Sequence, residues 1–304
     1  MSRAMVSIHF TDGSVKLSAN CINFIFEKDR YTPYTKAEGS FIFNYDDVDL
    51  SKAQLVKLFI NGELKHEGIP DRLVLTQTSK GKILTFSSRG FTLLLGQNEP
   101  CPGINSDVNL EDIISKNISV SQISWETPTD KVNYIYVKEK STVWDAVCAY
   151  GIKSCGVYPY IKGLNTVAVT SSDKQTDYSG IKLMSKGRGL DTTLVLSEVY
   201  MADINGDYTY HCESSAAKDM GIERKKYYPL DRQWLSDPEI GLNAKLDYSA
   251  RKMNDLRAVY AGYKGEDLTD TITNLYDGIN GRRISYLKVR GSAKGIFTEI
   301  RAEE

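Results

Sequence analysis

The stretch Leu55-Val56-Lys57-Leu58-Phe59-Ile60-Asn61-Gly62 decides how the fold is read. Alternating apolar residues end in Asn-Gly, and a type I′ turn needs positive φ at both of its central residues, which these two tolerate best. A return strand over residues 64–69 is therefore expected. Working outward, Val6-Ser7-Ile8-His9-Phe10 alternates with period two before the turn residues Thr11-Asp12-Gly13-Ser14, and Phe41-Ile42-Phe43-Asn44-Tyr45 is a further strand candidate. A second hairpin is expected from strands over 72–78 and 82–87, turning at Ser79-Lys80-Gly81. Short strands at this spacing predict a small β-barrel over residues 1–95.

Pro100, Pro102 and Gly103 interrupt the pattern, and an α/β module is expected over 96–170. Asn109 can N-cap a helix carrying Leu110, Ile113 and Ile114, with Glu111 and Asp112 in its first turn. Val132-Asn133-Tyr134-Ile135-Tyr136-Val137 is a strand. Ser141 or Thr142 caps a second helix through Trp144, Val147 and Cys148, which Gly151 is expected to close. A hairpin over 157–161 and 166–170 turns at Lys162-Gly163. Residues 171–189, rich in Ser, Lys, Asp and Gly, are expected to be a linker.

Over 171–304 the β theme returns as a second barrel, interrupted by a helical insertion at about 214–258. Strand character restarts at Leu194-Val195-Leu196-Ser197-Glu198-Val199-Tyr200, and Asn205-Gly206-Asp207 is a turn. Asp237-Pro238 starts a helix expected to reach Arg257. Further strands are expected over 260–263, 272–275, 283–289 and 296–301. The fold class is thus mainly β with α+β modules: two small β-barrel domains joined by a small α/β module.

Composition narrows the function classes. The 304 residues are 41% hydrophobic and 25% charged, which is ordinary globular usage. Lys plus Arg number 38 against 39 Asp plus Glu, a net charge of -1, which argues against sequence-specific nucleic-acid binding. No apolar run approaches the ~20 residues of a membrane helix, so the chain is expected to be soluble, made in the cytoplasm and without a membrane partner. Cys21, Cys101, Cys148, Cys155 and Cys212 make an odd set without CxxC spacing, and His9, His66 and His211 lack metal-ligand spacing. No disulfide framework, metal or cofactor is expected.

Catalytic signatures are missing: no GxSxG, HExxH or Walker loop occurs, and no catalytic residue is assigned. Gly187-Arg188-Gly189 lacks the third glycine of a phosphate loop. Asp46, Asp47 and Asp49 lack the glycine and glutamate of a calcium loop, and read as a solvated turn. Arg224-Lys225-Lys226 is a compact basic run that reads as a solvated turn or as a rim contact for an acidic partner. Tyrosine is abundant, at 19 residues, with pairs at Tyr134/Tyr136, Tyr158/Tyr160, Tyr208/Tyr210 and Tyr227/Tyr228. Such pairs suit a half-buried barrel wall, a protein interface or a sugar-stacking platform.

Taken in order, the pieces resemble phage tail baseplate hub proteins, the family of the late control protein D, Mu-type tail proteins and prophage proteins of Gram-positive hosts. The Asn61-Gly62 hairpin, Gly68-Ile69, the second hairpin and Ser88-Arg89-Gly90-Phe91-Thr92-Leu93-Leu94 resemble its first element, although the family has Gly-Arg-Ser where this chain has Ser88-Arg89-Gly90. Thr142-Val143-Trp144-Asp145, Gly151 and the following hairpin resemble its Thr-x-Trp-[Asp/Glu] helix start. Gly295-Ile296-Phe297-Thr298 matches its closing Gly-Ile-x-Thr strand.

The resemblance implies a non-enzymatic structural role. It implies a homotrimer whose six barrels meet the tail tube protein, whose other side grips the central spike protein, and whose channel passes the tape-measure protein or DNA, with other baseplate proteins as further neighbours. It also implies a place in the virion tail baseplate, assembled in the host bacterial cytoplasm. Some relatives carry a peptidoglycan-cleaving domain, and at this length none is expected here. Two alternatives stand beside this reading. One is a carbohydrate-binding, adhesin-like β protein using Tyr158 and Tyr208; the other is a hydrolase whose carboxylates meet only in the fold.

Overall fold

The computed structural model describes residues 4–79, 81–127 and 130–303. Lys80, in the expected second turn, lies outside the described residues. The first third contributes β1 (Ala4–Phe10), β2 (Val15–Ser18), β3 (Cys21–Asp29), β4 (Lys36–Ile42), β5 (Ala53–Ile60), β6 (Glu63–Thr78) and β7 (Gly81–Gly90). Asn61 and Gly62 adopt φ of 54° and 85°, so the Asn-Gly hairpin forms as expected. The two strands expected on either side of residue 70 are one strand, β6. Within its pairing to β7 the register shifts between Pro70 and Arg72, a site that suits a residue with no N–H to donate. Its first part pairs with β5, and from Gly68 on it pairs with β7.

The middle of the chain holds α1 (Leu93–Gln97), β8 (Gly103–Val108), α2 (Leu110–Ser115), β9 (Ser124–Trp125), β10 (Val132–Val137), α3 (Val143–Cys155), β11 (Tyr160–Lys162) and β12 (Thr166–Ala168). Asn109 with Asp112, and Thr142 with Asp145, form reciprocal capping boxes at the starts of α2 and α3. Gly151 does not close α3. The helix runs on to Cys155 and ends at Gly156, whose φ of 65° makes it the C-terminal cap. Gly151 serves packing instead, because a Cβ there would lie 2.9 Å from the Val157 carbonyl oxygen. Cys148 and Cys155 therefore share one helix, and both are free thiols. A separate apolar core joins α2, α3 and β10 through Leu110, Ile114, Ile135, Val143, Val147 and Tyr150.

The last part holds β13 (Gln175–Asp177), β14 (Leu183–Leu190), β15 (Glu198–Met201), β16 (Tyr210–Glu213), α4 (Ser215–Asp219), β17 (Lys225–Tyr228), α5 (Pro238–Ala250), β18 (Asn254–Ala261), β19 (Thr271–Thr273), β20 (Arg283–Ser292) and β21 (Gly295–Glu303). Three expectations are corrected here. The polar stretch expected as a linker contains β13 and β14, which are edge strands and so need no apolar face on both sides. The last helix stops at Ala250, and Leu256, Ala258 and Tyr260 then alternate inward on a strand. The span expected as a helical insertion, about 214–258, is mixed: it holds β17 as well as α4 and α5, and β17 joins the preceding β15 and β16 in a three-stranded sheet with β15 in the middle, backed by α5 around Val199, Met201, Trp234, Leu242 and Leu246.

The largest correction concerns the two barrels. Among the described residues, the first and last thirds form one incompletely closed sheet of 13 strands, in the order β14-β18-β21-β20-β3-β4-β7-β6-β5-β1-β2, with β19 and β13 branching from β20. The physical reason is the antiparallel pairing of β20 with β3, from Tyr286 opposite Asp29 to Ser292 opposite Asn23. One apolar core, reaching from Val6 and Ile8 to Leu287 and Ile300, lies under both halves.

Two buried polar groups hold this arrangement. Lys28 is 3% exposed, and its Nζ donates to the Gly163 carbonyl at 2.9 Å and to the Asp267 carboxylate. Asp267 in turn accepts from the Gly163 N–H at 2.6 Å, so β3, the β11–β12 hairpin and the loop before β19 meet at one ion pair. His66, fully buried on β6, has Nδ1 2.9 Å from Thr35 Oγ1 and Nε2 2.9 Å from Ser88 Oγ.

Lys28→Met strips the ammonium from a carboxylate that keeps only part of its solvent, and we expect it to cost roughly 3 kcal/mol in urea unfolding. A loss under about 0.5 kcal/mol, the range of an ordinary surface substitution, would refute the structural weight given to this pair. Burial pushes the His66 pKa down to about 3, so the folded chain refuses a proton that the unfolded chain accepts near 6.5. Its contribution is complete above about pH 6.5 and is lost as pH falls toward 3, with a slope of up to about 1.4 kcal/mol per pH unit. The stability of His66→Gln should fall less steeply than wild type across that window; parallel curves would contradict this.

Candidate assembly interface

Within the large sheet, β14-β18-β21-β20 from the last third and β3-β4-β7-β6 from the first third form a continuous antiparallel strip. Each half is a four-stranded block, so the two regions have comparable strand arrangements although they share one sheet. At the seam Phe24 lies opposite Gly291, Phe26 opposite Val289 and Lys28 opposite Leu287. Gly291 is required by close approach: a Cβ there would overlap the Phe24 ring. Phe24, Phe26, Ala37, Phe86, Ala258 and Ile300 point into the core, which leaves the alternate residues on the opposite face.

That opposite face is polar and charge-paired. Lys36, Glu27, Lys288 and Glu299 stand in one register row across β4, β3, β20 and β21, alternating in sign. Lys288 meets Glu27 at 2.6 Å, and the Tyr286 hydroxyl donates to Glu27 at 3.0 Å. Burial works against the Glu27 carboxylate, but these two hydrogen bonds outweigh it and hold its pKa below the ordinary range. Arg301 bonds Glu299 at 2.9 Å and lies over the Tyr286 ring at 4.6 Å.

Both ends of the strip are open. β14 pairs only with β18, and the second part of β6 pairs only with β7, so each presents unpaired backbone groups. Met184 and Leu190 on β14 are 52% and 65% exposed. At the far end of the whole sheet, Val15 and Leu17 on β2 are exposed as well. The sequence reading missed these edges. The one signal available was apolar Met184 and Leu190 bracketing an otherwise polar, glycine-containing run.

The tyrosine pairs separate in the fold. Tyr160 is buried and donates to the Thr170 carbonyl, whereas Tyr158 stacks on Tyr248 at 5.3 Å and meets Tyr31 at 5.4 Å. Tyr210 packs on the core of the insertion, while Tyr208 sets its edge against Tyr227. Across β16, β15 and β17, His211, Tyr200 and Tyr227 stack at 4.4 and 4.7 Å. Their inner ring faces cover one another, and Tyr227 and Tyr208 remain 54% and 48% exposed. Tyr134 lies under the Lys153 ammonium at 3.6 Å, and Tyr136 is near Arg232.

The remaining singled-out residues serve local structure. Gly187-Arg188-Gly189 lies within β14, and Asp49 caps the turn Leu50–Lys52. In the basic run, Arg224 donates to the Thr192 and Val195 carbonyls, Lys225 meets Glu198 at 3.0 Å and Lys226 lies over Tyr228. Hydrogen bonds from Tyr200 and then Lys225 hold the Glu198 pKa down to about 2. Among the described residues, no group of three His, Cys, Asp or Glu side chains is placed to hold a metal ion.

No family model matches the chain, and no curated protein matches its sequence. Solved structures do match. A tail protein from Neisseria meningitidis superposes with a TM-score of 0.73 at 16% identity, covering 99% of this chain and 96% of that one. The 43 kDa tail protein of prophage MuSo2 from Shewanella oneidensis gives 0.74 at 12% identity, over 100% and 98%. An E. coli type VI secretion system component, described as structurally similar to the T4 tail proteins gp27 and gp5, gives 0.58 at 6% identity, over 93% and 73%. The fold is therefore that of phage-type tail proteins. The likeness extends over nearly the whole length of both tail proteins.

Gly291→Ala tests the seam of the strip. We expect about 1–3 kcal/mol of destabilisation from overpacking against Phe24, with most of it recovered in Gly291→Ala/Phe24→Leu. A single variant as stable as wild type would show that the seam is not packed in this way.

Proposed function

We propose that this chain is a structural baseplate hub of a phage or phage-like tail. It forms a homotrimeric connector between tail tube and central spike, with a central channel and no catalytic role. The observation that carries this reading is the likeness to two tail proteins over nearly the whole of all three chains. The strip adds a physical rationale. Two comparable four-stranded blocks per subunit give a ring of three copies six such blocks, which suits a threefold object that must seat on a sixfold tube. Head-to-tail joining of the β14 edge to the β6 edge of the next copy pairs the open backbone groups at both ends of the strip. The charge-paired face then lines the channel with side chains already satisfied by one another. The tail tube, spike and tape-measure proteins are the neighbours this reading requires, and the virion tail is its location.

Mass measurement by native mass spectrometry and ultracentrifugation, on the chain alone and in assembled particles, is the direct test. We expect a trimer in particles. Met184→Lys/Leu190→Lys should abolish it while leaving the monomer's melting temperature within a few degrees. A monomer in both settings would overturn the proposal, and a trimer insensitive to these substitutions would overturn the edge-to-edge joint.

A further inference from the structure

The insertion meets the α/β module across a slot. A cavity of about 410 Å³ lies between α3 and α5, a size that suits a ligand or an anchoring side chain. Its two helical walls carry small residues, Ala146 and Ala149 from α3 and Gly241 and Ala244 from α5, while Tyr136, Tyr158, Tyr228 and Trp234 form its aromatic sides. Trp234 packs directly on Gly241, where a Cβ would overlap its ring, and open space remains beside it between the two helices.

Two lysines and two aspartates line the slot, and the aspartates are not equally available to the lysines. Asp231, only 7% exposed, is shared by two lysines, with Lys138 Nζ at 2.9 Å and Lys245 Nζ at 3.7 Å. The Tyr228 ring lies between the ammonium groups of Lys245, at 4.9 Å, and Lys226, at 5.0 Å. The other carboxylate on the wall, Asp145, is committed to the Thr142 N–H and hydroxyl at the start of α3. Burial pushes the Lys245 pKa down; Asp231 opposes this, and Lys138 and Lys226 add to it. Gln233, 5% exposed, accepts from the Tyr136 N–H at 2.7 Å, and its buried Nε2 has no hydrogen-bond partner among the described residues. Leu235 and Ile240, next to wall residues Trp234 and Gly241, are 46% and 42% exposed, so the apolar surface continues past the rim. A small molecule in the slot would leave that rim uncovered.

We propose that the slot between α3 and α5 docks an acidic segment of another protein, with an apolar side chain between the helices and a carboxylate at Lys138 and Lys245. The assignment goes beyond the hub reading and stands or falls separately from it.

The test uses the full chain as bait for a surface-displayed library of short random peptides, followed by fluorescence anisotropy with the enriched peptides. We expect enriched sequences to pair Asp or Glu with a large apolar residue and to bind more weakly as salt rises. Ala244→Trp, which fills the slot, and Lys245→Gln, which removes its cation, should each weaken binding roughly tenfold or more. Circular dichroism verifies that both variants are folded; should Ala244→Trp fail to fold, Lys138→Glu takes its place. Lys16→Gln, on β2 and outside the slot's lining, should leave peptide binding unchanged. Failure to enrich any peptide, enrichment of basic or uncharged sequences, or binding indifferent to these slot variants would each overturn the proposal, whatever the oligomeric state proves to be.

Discussion

The structure depends on one pairing, that of β3 with β20. These strands lie more than 250 residues apart in sequence, as Asp29 and Tyr286 mark. Bringing such distant segments together costs less than the separation suggests, because closure entropy grows only with the logarithm of loop length. Against it stand a ladder of backbone hydrogen bonds and the burial of Phe24, Phe26, Leu287 and Val289 along the seam, each contributing about 1.5–3 kcal/mol. Selectivity comes from shape and charge together. Gly291 leaves room for the Phe24 ring, Lys28 meets Asp267 on the inner side, and Glu27 meets Lys288 on the outer side. A register slip of one residue would turn the Lys28 ammonium to the wrong face and set Phe24 against a side chain.

Local features of this arrangement were legible in the sequence, because their causes are local. Asn61-Gly62 specifies a turn through backbone conformation alone, and Asn109 and Thr142 specify helix starts through their own capping bonds. What was not legible was partner choice. Alternation at Ile284, Leu287 and Val289 says which face of β20 is buried, but not that β3 lies beside it. Two regions of similar alternation thus read as two closed barrels, whereas the seam merges them. The same limit explains β14: an edge strand has one paired side and little buried face, so its composition is that of a linker. Gly151 misled for a related reason. A glycine inside a helix looks like a stop unless one knows that the Val157 carbonyl lies against it.

The site followed the same rule. The resemblance in motif order pointed to tail proteins, and the fold agrees, yet no motif marked the residues that face outward from the strip. Glu27, Lys36, Lys288 and Glu299 come from both ends of the chain, and only the sheet brings them into one row. The tyrosines were conspicuous by number, and the fold packs several of them against one another. Tyr158 on Tyr31 and Tyr248 fastens three regions together, and Tyr200 on His211 and Tyr227 stiffens the small sheet of the insertion.

A merged sheet has a mechanical consequence that two linked barrels would not have. Barrels joined by a flexible segment can change their mutual angle at little cost, but here the angle between the blocks is set by the β3–β20 ladder, and bending it means breaking backbone hydrogen bonds in a buried seam. Any adaptation to a partner must therefore occur elsewhere. The insertion carrying β15, β16, β17 and α5 is joined in another way: the chain enters it after β14 and leaves it before β18, and it meets α3 and the hairpin after it through side chains such as Ile152 and Tyr158. Tyr248 against Tyr31 and Tyr158, and Asp231 against Lys138, tie the insertion to the rest of the chain, so side-chain contacts rather than a backbone ladder set its position.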